Sequence, residues 1–239
     1  MEHIADRLAE IPGVEAVALG GSRARGAGRD DSDWDFGLYY RGEIDVEAVR
    51  GLGFQGEIVE PGTWGRLVNG GAWLVVDGHR VDLLYRDLDF VRHWAEEAEM
   101  GRFEVDLVEG YVAGMPTYVL AGELALAKVL VGELPFPRFP EALREAAPRY
   151  WRRGADHSLM VAEHQAGSGD VAGCVGLLAK AAIAVAQGRL AARGEWALNE
   201  KGIVHRAVLG EADNILAAPG QNCDELAHSV ARMKGVIAG

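Results

Sequence analysis

The sequence is short of cysteine and of positive charge. Only two of its 239 residues are cysteine, Cys174 and Cys223. Two cysteines cannot build a disulfide framework or a zinc site of the usual Cys/His spacing. Lysine and arginine total 24 against 36 aspartate and glutamate, a net charge of −12. Because no Lys/Arg cluster of the kind that neutralises a phosphate backbone is present, nucleic acid is disfavoured as a partner and a small, cationic one is favoured.

Long apolar runs are also missing. The first six residues, Met1–Asp6, include two acidic side chains and lack the apolar stretch of a signal peptide. We find no continuous apolar segment of the length needed to span a bilayer, so we expect a cytoplasmic protein without a membrane partner. Hydrophobic content of 49% and charged content of 25% are ordinary for a globular chain. At this length it can bury a core and form two modest domains.

The pattern of the chain changes near residue 115. Before it, strand-like and helix-like segments alternate; after it, the pattern is helical. We therefore predict an α+β protein: a small mixed β-sheet with flanking helices over 1–115, followed by an α-helical bundle over 116–239. The predicted strands are Val14–Leu19, Asp33–Tyr40, and a hairpin of 73–76 and 81–85 that turns at Asp77-Gly78. The predicted helices are 2–11, 44–52, 87–98, 117–132, 141–166 (interrupted at Pro148), 170–193, 200–209 and 222–236.

A glycine-rich turn follows the first predicted strand. Gly20-Gly21-Ser22 would leave backbone N–H groups free to hold a phosphate, helped by the N-terminus of a following helix. Arg23, Arg25 and Arg29 beside this turn suit a triphosphate. Taken alone, the same residues also fit an ordinary loop.

Two aspartates begin the second predicted strand. Because side chains alternate along a strand, Asp33 and Asp35 should share one face. Like charges so close repel each other unless a cation lies between them, and hard oxygen ligands suit Mg²⁺. The alternative is a solvated strand end. Asp30 and Asp31 fit turn residues better than ligands.

Gly-Ser, about ten residues, and then Asp-x-Asp resembles the signature of the nucleotidyltransferase superfamily related to DNA polymerase β. That family carries a third carboxylate on a later strand, and Asp82 matches it by lying between Val81 and Leu83. A buried, unpaired carboxylate is costly. Asp82 therefore either meets water at a sheet end or binds a metal, and we favour the metal.

The helical half resembles the domain that follows the catalytic domain in aminoglycoside and lincosamide adenylyltransferases. The best local match is 194–202, a segment in which relatives place a lysine that reaches the nucleotide phosphates. The resemblance implies Lys201 for this role, with Lys180 as the rival. The six tryptophans are expected mostly in the core, although one could stack on adenine or a sugar.

The resemblance implies a reaction as well. Asp33 and Asp35 would hold one Mg²⁺ on the β- and γ-phosphates of ATP or another NTP and share a second with Asp82. A nucleoside monophosphate would pass to a hydroxyl of a small molecule, with Asp82 or Glu104 as the base. Two alternatives are a protein or tRNA acceptor and a silent nucleotide-binding module. Some relatives bind the acceptor between two subunits, so the resemblance also allows a homodimer.

Overall fold

A computed structural model describes residues 1–26, 28–29 and 32–238. The chain forms two compact units: the first contains Met1–Glu97 and Thr117–Arg138, and the second Ala98–Pro116 and Phe139–Gly239. The strands are β1 (Val14–Leu19), β2 (Trp34–Tyr40), β3 (Gln55–Ile58), β4 (Gly71–Val76), β5 (His79–Asp87), β6 (Val105–Asp106), β7 (Met115–Pro116) and β8 (Lys128–Val131).

The helices of the first unit are short, whereas those of the second include two long ones. They are α1 (Ala5–Ala9), α2 (Gly21–Ala24), α3 (Val46–Gly51), α4 (Gly65–Val68), α5 (Leu88–Glu99), α6 (Val119–Leu126), α7 (Glu141–Ser168), α8 (Val171–Ala192), α9 (Ile203–Arg206), α10 (Glu211–Ala217) and α11 (Cys223–Ala238). The longest, α7 and α8, pack against each other in the second unit.

The first unit is built on one six-stranded sheet of order β3-β4-β5-β2-β1-β8. Only the central pair, β2 and β5, is parallel; the other neighbours are antiparallel. The predicted hairpin between β4 and β5 is confirmed, and Asp77 and Gly78 both have positive φ, 51° and 78°, as a type I′ turn requires. A mixed sheet with flanking helices, followed by a helical region, confirms the predicted α+β class.

The two faces of this sheet differ in chemistry. On one, which we call the core face, Phe36, Leu38 and Leu83 are fully buried and belong to one apolar cluster with Leu8 of α1 and Val49 of α3. Strand alternation sends the intervening residues to the opposite face, which we call the open face. It carries Asp35, Asp82, Trp73 and Arg86.

The open face is covered at one end by α6. Arg86 is only 3% exposed, and its Nε and Nη2 donate hydrogen bonds to the two carboxylate oxygens of Glu123 on α6, at 2.6 and 2.9 Å. Its Nη1 donates to the Val68 carbonyl at 2.8 Å. A buried charge is tolerable only when it is paired in this way. The ion pair therefore anchors α6 to the sheet.

The predicted helix over 117–132 is wrong in its second half. Helix α6 stops at Leu126, Ala127 is extended (φ −78°, ψ 151°), and β8 pairs with the free edge of β1. The β-branched Val129 and Val131 favour a strand, and burial along the β1 edge decides between the two. As a result, 117–138 lies in the first unit and 98–116 in the second, a different division from the boundary predicted near residue 115.

Two predictions in the helical half also differ from the structure. Helix α7 runs without a break through Pro148, which was expected to interrupt it. A proline within a helix removes one backbone hydrogen bond, and the packing of α7 against α8 offsets the free energy lost with it. A Cβ on Gly188 would lie 3.3 Å from the Pro148 Cα, so glycine permits this approach. The helix predicted over 200–209 is limited to α9, because Val208 has a positive φ of 59°.

Helix α8 is long and apolar enough to cross a membrane by length and composition, contrary to the sequence-based expectation. It has 22 residues, and its most apolar window has a mean hydropathy of 1.6 with half of that window buried. The core helix of a soluble protein meets the same criterion. This helix is therefore weak support for a membrane location.

Candidate active site

Two carboxylates lie side by side at the centre of the open face. Asp35 of β2 and Asp82 of β5 are direct partners in the parallel register, and neighbouring strands are about 4.8 Å apart. The predicted strand began at Asp33, but β2 begins one residue later, so Asp33 lies just outside the strand. The structure therefore brings Asp35 and Asp82 together, with Asp33 at the strand end.

The electrostatics follow from this placement. Burial, and then the neighbouring charges of Asp82 and Asp33, raise the pKa of Asp35 to about 6. Burial and the charge of Asp33 also raise the pKa of Asp82, while Arg80 opposes that rise. These carboxylates hold their protons more tightly than free ones because burial, and then nearby negative charge, disfavours their ionised forms. A cation bound here would relieve the repulsion.

Arg80 is a partner that the sequence did not reveal. Its Nε donates to Oδ1 of Asp33 at 2.5 Å, and the two side chains are 71% and 39% exposed. Arg80 lies two residues before Asp82 on β5, so alternation places both on the open face. One cation is thus already in contact with Asp33 in this structure.

The glycine turn packs directly on Asp35. The Gly20 N–H donates to the Asp35 carbonyl at 2.7 Å. Gly21 has φ +62°, and a Cβ there would lie 1.8 Å from Asp35 Oδ2. Only glycine combines this backbone conformation with so close an approach. Ser22 follows in α2 and is half-buried, so the predicted phosphate turn and the predicted metal ligand are adjacent.

The arginines beside the turn have different surroundings. Arg23 donates to the Ser32 carbonyl through Nη2 at 2.7 Å and to the Asp33 carbonyl through Nε at 3.3 Å. Its guanidinium also stacks on Trp34, 4.3 Å from the ring centre. It therefore supports the segment that carries Asp33. The charge of Arg25 lowers the pKa of Asp35. The predictions for Asp30 and Asp31 lie outside the described residues.

Comparison with known proteins identifies a related domain family. The family model for the nucleotidyltransferase domain matches residues 1–109. These residues form a nucleotidyltransferase domain. The match confirms the resemblance to the superfamily and supports nucleotidyl transfer in general.

No curated protein matches the chain. A solved structure similar to it is that of a nucleotidyltransferase-like protein from Exiguobacterium sibiricum 255-15, with 9% identity and a TM-score of 0.47. The match covers 98% of this chain and 72% of the other.

The nucleotidyltransferase domain offers donors that fit a divalent cation. Carboxylate oxygens are the ligands that Mg²⁺ prefers, and the repulsion between Asp35 and Asp82 would be reduced by one. In the part of the chain that the structure describes, no group of three or more His, Cys, Asp or Glu side chains is placed to hold a metal ion. Asp33 contacts Arg80 instead. The donor set fits, and Asp33, whose Oδ1 accepts from Arg80, is the third carboxylate that could join it.

The other predicted site residues lie in the second unit. Lys180 is half-buried on α8, Lys201 is exposed in the turn before α9, and Glu104 is exposed just before β6. Glu200, next to Lys201, accepts a hydrogen bond from the Val112 N–H at 2.7 Å. The segment around Lys201 is therefore fixed within its own unit. The roles of Lys201, Lys180 and Glu104 toward a nucleotide stay predictions.

One exposed aromatic residue on the open face is an exception to the expectation that tryptophans fill the core. Trp73 of β4 is 51% exposed and lies directly opposite Asp82 in the β4·β5 register. Because its position follows from the register of the hairpin, the signal was present in the sequence: Trp73 and Asp82 are equally distant from the Asp77-Gly78 turn.

Proposed function

We propose that this protein is a Mg²⁺-dependent nucleotidyltransferase that moves a nucleoside monophosphate, from ATP or another NTP, to a hydroxyl of a small molecule and releases pyrophosphate. The observation that carries the proposal is the register of Asp35 and Asp82 beside the Gly20-Gly21 turn. Two facing carboxylates next to a backbone turn combine a cation site with a phosphate site.

Each residue then has a role that its surroundings support. The turn at Gly21 and Ser22 would hold the β- and γ-phosphates, and Arg25 would add positive charge. Asp35, Asp82 and a released Asp33 would hold the cation, which supplies Lewis acidity at the phosphates. The acceptor oxygen forms a bond to the α-phosphorus as the bond to pyrophosphate breaks, and a carboxylate takes the hydroxyl proton.

The acceptor is proposed from charge. With a net charge of −12, the protein would attract a small cationic compound more readily than a nucleic acid. Aminoglycoside and lincosamide antibiotics carry both amines and hydroxyls, and they are acceptors of the adenylyltransferases that the sequence resembles. A cytoplasmic location is part of the same proposal, since ATP is supplied there.

The experiment is pyrophosphate release from Mg²⁺-ATP in the presence of aminoglycosides, lincosamides, tRNA or protein. Asp35→Asn should lower acceptor-dependent release by about 10²–10⁴-fold, the usual cost of removing a well-placed charged group. Asp6→Asn, which changes an exposed carboxylate on α1, is the matched control and should retain activity. Absence of nucleotide binding to the wild-type protein would overturn the proposal. Pyrophosphate release only with tRNA or protein would show that the acceptor is a macromolecule and not a small molecule.

A further inference from the structure

A row of four side chains crosses the open face at the level of the carboxylates. In register, Asp35 on β2 faces Asp82 on β5, Asp82 faces Trp73 on β4, and Trp73 faces Glu57 on β3. Directly opposed residues in a sheet point to the same side, with Cβ atoms about 5 Å apart in antiparallel pairs. The exposed indole of Trp73 is therefore the immediate neighbour of Asp82, and the exposed carboxylate of Glu57 lies beyond it.

Trp73 does not stand alone. Trp64 stacks on it with ring centres 4.6 Å apart and planes inclined by 27°. A Cβ on Gly71 would lie 3.1 Å from Cζ3 of Trp64, so the glycine leaves room for Trp64 to lie on the sheet. We call these two indoles the tryptophan platform. Half of Trp73 remains in water although a large apolar side chain gains by burial, so part of its aromatic surface is accessible to a ligand.

The order of the strands places this platform relative to the phosphates. The Gly20-Gly21 turn follows β1, and β2, β5, β4 and β3 succeed one another from there. Two strand spacings of about 4.8 Å separate Trp73 from Asp35. If the triphosphate lies at the turn, the platform is on the far side of Asp82. In an in-line displacement the acceptor approaches opposite the leaving pyrophosphate, so that side is where the acceptor would enter.

We propose that the tryptophan platform binds the acceptor, that the acceptor carries a ring, and that it is cationic. The ring face or an attached ammonium would lie over Trp73, where cation–π attraction operates, with Glu57 and Asp82 on either side. Arg80 is a cation near this region, because it pairs with Val75, two residues after Trp73, and its charge is directed to Asp33. This inference rests on the proposed function, whose acceptor it locates.

The test is calorimetric titration of the full chain with kanamycin A and with lincomycin, with and without Mg²⁺ and the non-hydrolysable analogue AMPCPP. Trp73→Ala should weaken binding of the better probe about tenfold, the loss expected for one stacked or cation–π contact. Trp73→Phe should retain most of the affinity, and Glu57→Gln should weaken it by about threefold. Phe136→Ala, which removes an aromatic residue that is 63% exposed in the first unit, is the matched control and should change nothing.

The outcomes separate this inference from the function itself. AMPCPP should bind Trp73→Ala as it binds wild type. If Trp73→Ala bound AMPCPP more weakly than wild type but bound tripolyphosphate equally well, the platform would be a nucleobase site and the inference would be overturned. Equal antibiotic binding to wild type and Trp73→Ala would also overturn it, as would no binding of either probe up to about 10 mM. In each case AMPCPP binding to wild type still reports whether the nucleotide site exists. If Trp73→Ala has the same melting temperature as wild type, misfolding is excluded as the cause of weaker binding.

Discussion

The two faces of the sheet in the nucleotidyltransferase domain are made by the same strands and have opposite chemistry. On β5, Val81, Leu83 and Tyr85 are fully buried in the apolar cluster of the core face. The residues between them, Asp82 and Leu84, are half-buried on the open face. The core face supplies folding free energy by burial, whereas at Asp82 the open face retains a charge that costs free energy. The core face therefore stabilises the fold, and the open face is the one on which we place the proposed active site.

A second contrast lies within the open face. At one end, Arg86 and Glu123 form a buried ion pair with two hydrogen bonds. At the other end, Asp35 and Asp82 are direct partners in the register of β2 and β5, so two carboxylates face each other. Paired charges satisfy each other and anchor α6. Burial, and then nearby negative charge, raises the pKa of both Asp35 and Asp82, and carboxylates with raised pKa values are typical of functional sites.

The largest expected effect comes from Gly21→Ala. The new Cβ would overlap Oδ2 of Asp35 and would require a positive φ that alanine disfavours. We expect nucleotidyl transfer to fall by about 10³-fold, equivalent to about 4 kcal/mol. At Gly20 a Cβ would meet nothing closer than 3.6 Å, so Gly20→Ala should be nearly silent. Equal losses in the two variants, measured as initial rates of pyrophosphate release, would show that the close approach to Asp35 is unimportant.

Adjacent leucines on β5 test the contrast between the faces. Leu83→Ala should lower the free energy of unfolding by about 3 kcal/mol, because it opens a cavity in the core face. Leu84→Ala, on the half-buried open face, should cost about 1 kcal/mol. Urea denaturation measures both. If the two variants lost equal free energy of unfolding, burial on the open face would stabilise the fold as much as burial on the core face.

The pH dependence of stability tests the unpaired carboxylates. The pKa of Asp35 is raised to about 6 in the folded protein, against about 3.9 in an unfolded chain. Its ionisation therefore opposes folding: the penalty is absent below pH 4, grows through pH 4–6 and is complete above the folded pKa. Asp35→Asn should then be more stable than wild type above pH 7, by about 1–2 kcal/mol after allowance for solvent exposure.

That gain should vanish near pH 4, as measured by thermal unfolding over a pH series without divalent metal. Saturating Mg²⁺ should stabilise wild type and not Asp35→Asn. A constant difference between the two proteins at every pH would mean that the mutation acts through packing and not through charge.

Local signals were enough to predict much of the six-stranded sheet. The hairpin could be predicted from the Asp77-Gly78 dipeptide, because the positive φ that a type I′ turn needs at both positions depends on those two residues alone. Alternation placed Asp35 opposite the apolar residues of β2, and the resemblance supplied Asp82 as its partner. The register that aligns Asp35 with Asp82 needed the structure, since a parallel pair has no turn to fix it.

The features that could not be predicted from the sequence depend on contacts between segments that are distant along the chain. The strand β8 is apolar enough to suit a helix or a strand, and only the free edge of β1 decides between them. The contact of Arg80 with Asp33 joins residues 47 positions apart, beyond any local pattern. The exposure of Trp73 likewise depends on what covers the open face. The contact of Arg80 and the exposure of Trp73 are the two features that change the description of the site.

The smallest expected effect concerns Arg80. In the structure its guanidinium contacts Oδ1 of Asp33, so a metal ion that recruits Asp33 competes with Arg80 for the charge of that carboxylate. An exposed pair of this kind is worth at most about 1 kcal/mol, and Arg80→Gln should therefore tighten Mn²⁺ binding by up to about fivefold. Arg92→Gln, which removes an exposed arginine on α5, is the control. Electron paramagnetic resonance of free Mn²⁺ measures the affinity without turnover. Weaker binding in Arg80→Gln would mean that Arg80 holds Asp33 in its ligating position rather than competing with the metal.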